Sequence, residues 1–391
     1  MITITDVDTL AKVPATQWDS LASAASLYQS RAWLRWAEAH HGLPTRYVLA
    51  NGADGTLLGA VATYLMRDVA DKLTRWYDPV RMFLTPYCDT SEAQPHWFPV
   101  LLVGGCSGGH SEILHAPRLD RAGRTAVNRA LLARCRAIAE EHDCGSLAFM
   151  YAPEEVCDEV VVALAGPTRK IVTSAKAAIT LGAGGGDFEG YLNRFPSARR
   201  SKLRKEVQAY AAAGGNATAY PLGEVLPRIA PLLGAHQRKY GDPVTDSEAE
   251  RYLRHQAAYL GANSTVFVDE RDGDIRGFTL CYEHGDAVYA QACGFDPQGA
   301  APFAYFNLSV YAPLRLAAEH RRAKLELGLG SYQGKRLRGA DVTALWSVVI
   351  PPEHLSPECA RVFGRPSPQA IFAGVAGTRP SQRGTTQIGL V

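Results

Sequence analysis

Two stretches of the chain carry short apolar runs on either side of an Asp-Gly pair. Tyr47–Ala50 and Ala60–Tyr64 flank Asp54-Gly55, and Thr265–Val268 and Phe278–Tyr282 flank Asp272-Gly273. That pattern predicts β-hairpins, because Gly enters φ > 0 without steric cost. The local wording matches too: residues 54–64 and 272–282 both read Asp-Gly-x-aliphatic-x-Gly, then four residues, then Tyr. Each hairpin precedes the same series. In the first copy come a strand-like run at Phe98–Val103, a helical pattern over Arg121–His142 and a strand at Leu147–Tyr151. The helix places Val127, Leu131, Leu132, Cys135 and Ile138 on one face. In the second copy the equivalents are Ala287–Cys293, Tyr305–His320 and Lys324–Leu327. Matched order and matched wording point to an internal duplication.

Gly182-Ala183-Gly184-Gly185-Gly186 reads as a flexible connection between the copies, and Asp187 as the cap of a helix starting at Phe188. Leu345–Ile350 reads as one more buried strand, ended by Pro351-Pro352, and Gly374–Val391 as a mobile tail. The expected organisation is therefore α/β, with lobes at 1–175 and 176–340 and a returning strand plus tail at 341–391.

Composition narrows the partners. Over 391 residues the net charge is only +2, so an anionic partner must be met by a local patch. No apolar run approaches the ~18 residues that span a bilayer, and the first residues lack the charge pattern of a signal peptide. A cytoplasmic location is the expectation. Eight cysteines are scattered without a C-x-x-C pair, which suits small buried side chains in a reducing compartment better than disulfides or a metal site.

The second copy continues as Gly294-Phe295-Asp296, Tyr305-Phe306-Asn307-Leu308 leading into Tyr311, Leu325-Glu326-Leu327-Gly328, Ser331-Tyr332, Lys335, Arg338-Gly339 and Leu345-Trp346. That series resembles the FemABX aminoacyltransferases and the related BioF2-like acetyltransferase domain. The resemblance implies two tandem GNAT-like lobes (the acyl-CoA N-acyltransferase fold), with mixed β-sheets flanked by helices. It also implies N-acyl transfer by direct attack of an amine, from acyl-CoA or aminoacyl-tRNA as co-substrate, with no tightly bound cofactor and no metal. The acceptor would be a small molecule or peptide precursor. One departure matters. GNAT proteins that bind acetyl-CoA place R/Q-x-x-G-x-G/A before the long helix, and here that place holds Asp296-Pro297-Gln298-Gly299-Ala300. The donor stays open at this point, as does a non-catalytic binding or scaffold role.

Six of the twelve residues from Arg194 to Lys205 are basic, with no acid among them. Ser197 is a plausible cap, and Leu203, Val207 and Tyr210 share a face that should bury. Arg200, Lys202 and Arg204 are left to bind an anionic group, and the 194–205 helix is a possible tRNA contact. By the family resemblance Lys335 would stabilise the tetrahedral intermediate and Tyr332 would shape the pocket or relay a proton. Tyr289, Tyr305, Asn307 and Arg338 complete the expected donor and substrate contacts. A competing motif is Gly105-Cys106-Ser107-Gly108-Gly109, which fits the G-x-S-x-G elbow of serine hydrolases, although its helix starts only near Arg121.

Overall fold

In the computed structural model of the chain, the described residues are 2–68, 75–85, 94–182 and 186–353. Residues 183–185 of the glycine run, the expected tail at 374–391, Cys88 and Cys359 lie outside them. The strands in chain order are β1 (Thr3–Val7), β2 (Thr45–Asn51), β3 (Leu57–Met66), β4 (Val100–Val103), β5 (Leu114–His115), β6 (Ser146–Ala152) and β7 (Arg169–Thr180). They continue with β8 (Ala217–Tyr220), β9 (Ser264–Arg271), β10 (Asp274–His284), β11 (Ala287–Phe295), β12 (Lys324–Gly328) and β13 (Asp341–Ile350).

The chain divides into two compact units. Unit 1 holds Met1–Ala175 and takes up the chain again at Thr343, and unit 2 holds Lys176–Val342. Unit 1 orders its strands β1-β2-β3-β4-β6-β13, with β5 beside β3. Unit 2 orders them β8-β9-β10-β11-β12-β7. The pairings match one for one. Three antiparallel pairs come first (β1–β2, β2–β3, β3–β4; β8–β9, β9–β10, β10–β11). Then comes one parallel pair, β4–β6 or β11–β12, and one further antiparallel pair, β6–β13 or β12–β7. The parallel pair needs a crossover, which the helices Arg121–Glu141 and 304–319 supply.

The second hairpin turns in two residues, Asp272 at φ 53° and Gly273 at φ 83°, the paired positive values of a type I′ turn. The first has a longer loop, where Asp54 Oδ1 accepts from Thr56 N and Thr56 Oγ1 at 3.1 and 2.7 Å. Unit 1 buries Val127, Leu131, Leu132, Cys135 and Ile138 against Val48, Val61, Leu101 and Phe149. In unit 2, Phe267, Cys281, Val288 and Leu325 join Leu203, Leu308 and Tyr311. Each fully buried side chain of this kind is worth roughly 1.5–3 kcal/mol. One position along from Cys281, Tyr282 faces the other way and donates to Gln256 Oε1 at 2.7 Å, on the helix Asp246–Leu260. Strand alternation thus covers both faces of the unit 2 sheet with helices.

Three local readings change. The helix from Phe188 is capped by Asp187, which accepts from Gly190 N at 2.6 Å, but the next helix (Ser197–Ala212) has Pro196 at its cap and Ser197 already inside. The stretch read as a plain helix over Tyr305–His320 contains a π-turn at Asn307–Tyr311 between Ala304–Phe306 and Ala312–Glu319. Pro313 explains it: the residue has no N–H for the Ser309 carbonyl and would clash with it in a regular turn, so the helix widens there. The sequence also conceals two helices between β8 and β9, Leu222–Lys239 and Asp246–Leu260. No helix among the described residues is long and apolar enough to cross a membrane.

Candidate functional site

The sheet of unit 2 opens at its parallel pair. β11 and β12 are in register for only three positions, Ala287↔Lys324, Val288↔Leu325 and Tyr289↔Glu326. β12 then ends at Gly328 with φ 64°, while β11 runs on to Phe295. On its other side β11 pairs Ala290 and Ala292 with Cys281 and Leu280, which leaves Gln291 as an extra residue. Such a bulge bends the strand and increases its twist, so β11 leaves its neighbour there. A gap at strand ends in an α/β sheet is where a ligand and its reacting groups fit.

Lys335 reaches this gap. It lies on the short helix Tyr332–Arg336, which follows Ser331 at φ 50°. Its Nζ donates to Leu327 O at 2.7 Å and Leu329 O at 2.8 Å, the carbonyls at and beyond the end of β12. The residue is 3% exposed, and burial lowers its pKa from the usual lysine value to about 8. An ammonium has three N–H donors, and two carbonyls engage two of them. Cys293 on β11 is its electrostatic neighbour: burial pushes that thiol up to about 11, and the Lys335 charge acts against the rise. Tyr305 belongs to the same group. Burial pushes its hydroxyl up, with Cys293 adding to the rise and a hydrogen bond with Ser331 opposing it.

The other expected residues divide. Tyr289 is buried at the last position of the parallel register, and Tyr332 packs on the unit 2 core. Asn307 Nδ2 donates to Phe303 O at 3.0 Å, inside its own helix, so it shapes the loop. Arg338 is 4% exposed and its fork is occupied by Glu206, at 2.7 Å from Nη2 and 3.1 Å from Nε. On the basic helix Leu203 and Tyr210 are buried and Lys202 faces solvent. Arg200 Nη1 donates to Asn193 Oδ1 at 3.2 Å, and Arg204 pairs with Glu189 at 2.6 Å. The preceding helix thus supplies an acid, Glu189, to Arg204 and an amide, Asn193, to Arg200, so the two do not form an unoccupied double fork. Glu283, near the end of β10, is held by His320 and Arg322, each at 3.0 Å. Cys293, Gln291 and Glu206 had no sequence signal, because each matters only through a residue distant in the chain.

Unit 1 fills the equivalent place. Ser111 N donates to Tyr151 O and Glu112 N to Gly104 O, both at 3.4 Å, so the loop after β4 lies between the ends of β4 and β6. Gln29 Nε2 donates to Gly104 O at 2.7 Å and Tyr77 Oη to Ser107 O at 2.8 Å. Ser107 Oγ accepts from Trp33 Nε1 at 3.3 Å, and His110 Nε2 sits 3.2 Å from Glu112. The next helix starts at Arg121 behind an Asp120 cap, so no helix begins at the serine as an elbow requires.

The loop before the π-turn is closed on itself. Asp296 Oδ1 accepts from Gln298 N at 2.9 Å, its carboxylate also takes the Gly299 amide, and Arg276 Nη1 lies 3.2 Å from Oδ2. These backbone hydrogen bonds lower the Asp296 pKa, with burial opposing them and Arg276 adding to the lowering. The Asp296 carboxylate thus occupies the amides of Gln298 and Gly299.

Comparison with known proteins bears on the fold and the family. FemX superposes with a TM-score of 0.60 at 13% identity, covering 88% of this chain and 96% of FemX. A conserved protein of unknown function from Bacteroides thetaiotaomicron gives 0.54 at 10% identity, covering 89% and 99%. A tandem GNAT protein from the clavulanic acid biosynthesis pathway gives 0.50 at 13% identity, covering 91% and 100%. At these identities the likeness establishes the fold, a tandem GNAT-like α/β architecture. No curated protein sequence is significantly similar to the chain. The model of the FemAB-like family, described by peptidoglycan biosynthesis and recognition, matches residues 110–354, well over half the chain, and the chain belongs to that family.

Proposed function

We propose that the chain transfers an aminoacyl group from tRNA to an amine of a peptidoglycan peptide precursor, in unit 2, by direct attack. Membership of the FemAB-like family and the tandem GNAT-like fold support acyl or aminoacyl transfer in general. The observation that carries the finer reading is Lys335, a buried ammonium fixed by two carbonyls at the mouth of the strand gap. In the proposed step the neutral amine of the acceptor adds to the ester carbonyl of the donor. Lys335 donates its remaining N–H to the oxygen that becomes anionic, a contact stronger in the transition state than before it. Collapse of the intermediate breaks the ester C–O bond, the ribose oxygen leaves with a proton, and the attacking nitrogen loses one. In this reading the Tyr305 hydroxyl, beside Ser331 and Cys293, passes that proton.

Two features favour a tRNA donor over a free CoA thioester. The amides of Gln298 and Gly299 are taken by Asp296, and the Ser197–Ala212 helix presents Lys202 and Lys205 to solvent. The test is to incubate the protein with mixed aminoacyl-tRNA and muropeptides bearing free amines, and to read product masses with and without RNase. Amino-acid mass increments that vanish with RNase are expected. An acetyl increment formed from acetyl-CoA and indifferent to RNase would overturn the donor, and no increment from either would overturn the reaction.

A further inference from the structure

Arg338 sits at the centre of a buried polar knot. Besides its two contacts with Glu206 Oε2, its Nη1 donates to Gly334 O at 2.8 Å and its guanidinium lies 3.0 Å from the centre of the Phe306 ring. Tyr311 Oη donates to the same Glu206 oxygen at 2.5 Å. Desolvation offsets much of the Coulomb gain of a buried ion pair, so its net contribution to stability is small. Its distinctive contribution here is geometric. Gly334 immediately precedes Lys335, and Lys335 O itself accepts from Arg338 N at 2.9 Å and Ala340 N at 3.1 Å. The loop is therefore tied on both sides of Lys335, and the far end of the tie is Glu206 on the helix Ser197–Ala212. A lysine stem is flexible, so its ammonium is only as well placed as the backbone beneath it.

We infer that Glu206, acting through the fork of Arg338, is a positioning residue that holds the Lys335 ammonium in the gap between β11 and β12. Its importance to chemistry rests on the role given to Lys335 above, while the positioning itself can be read without any substrate. The helix that offers Lys202 to solvent also sets the loop that carries Lys335.

Cys293 reports the position. Lys335 from the loop acts on its thiol, and the Cys293 thiol in turn acts on Tyr305 from the helix beyond and on Cys281 of β10. Only Lys335 is a cation, and a nearby cation raises the thiolate fraction. Iodoacetamide labelling of Cys293 at pH 8, followed by the mass of its peptide, is to be compared in the full-length wild type, Glu206→Gln, Arg338→Lys and Lys335→Met. Lys335→Met sets the direction, a several-fold slower labelling. Glu206→Gln and Arg338→Lys are expected to slow it in the same direction, with Cys144 in unit 1 labelled as before. In the transfer assay both should lower kcat about tenfold and leave KM nearly unchanged, while Lys202→Ala changes KM instead. Labelling in either folded variant at the wild-type rate or faster overturns the inference, as does a Lys335→Met variant that labels normally. If one variant fails to fold, the other carries the comparison. A wild type without transfer activity defeats the proposed reaction and leaves the labelling result intact.

Discussion

Unit 1 and unit 2 share a strand order and a single parallel pair, and they part beyond that pair. In unit 1 the four residues of β4 are matched by β3 and β6 throughout, and the 110–112 loop closes the space behind them. In unit 2 the parallel register stops after Tyr289↔Glu326, the bulge at Gln291 bends β11, and a buried lysine lies at the opening. The two units thus share a scaffold, while the open strand end with its buried lysine is found in unit 2. Unit 1 packs Trp33 against Tyr28 and Trp36, with ring centres 4.9 and 4.7 Å apart, and Tyr77 against Tyr151 at 5.0 Å. Its filled gap is part of a core.

The comparison can be broken at four points, in decreasing order of expected effect. Trp33→Ala should cost about 3–5 kcal/mol of unfolding free energy by leaving a cavity, read by denaturant titration, with transfer by the folded fraction intact. Lys335→Met should lower kcat about 10²-fold, the size of losing one preorganised donor. As the unit 1 counterpart of that second point, Ser107→Ala should leave kcat within about twofold, and a large loss there would reverse the assignment of roles. The third point is pH. Lys335 acts as an ammonium and burial lowers its pKa to about 8, so kcat should be sustained below that value and fall about tenfold per unit above it. In Lys335→Met that limb should disappear from the pH–rate profile. The smallest effect is at Lys202. Its replacement by alanine should weaken tRNA binding evenly across sequences and reduce the slope of log K against log salt by about one, read by filter binding at several salt concentrations.

The hairpins were legible because their signal is local. Asp272-Gly273 needs no distant partner to adopt two positive φ values, and the face of Val127, Leu131 and Ile138 needs only helical period. Helix 304–319 was half legible: its apolar period is plain, but the widened turn depends on what Pro313 does to the carbonyl four residues before it. The candidate site was legible in its residue names and not in their states. Lys335 could equally have been a solvated surface lysine, and its burial follows from Leu327 and Leu329 offering carbonyls at the end of β12. Arg338 and Arg204 were read as available cations, yet Glu206 and Glu189 occupy them. Glu206 lies 132 positions from Arg338, a distance over which no periodicity speaks.

By itself the sequence determined the duplicated order of strands and helices, the turns between them and the basic helix. Those depend on propensity, hydrophobic period and backbone sterics, all local quantities. Only the tertiary structure decided which copy keeps an open gap and which charges are already paired. It also set the proton affinity of the remaining lysine, since burial and electrostatic partnership exist only once distant segments meet.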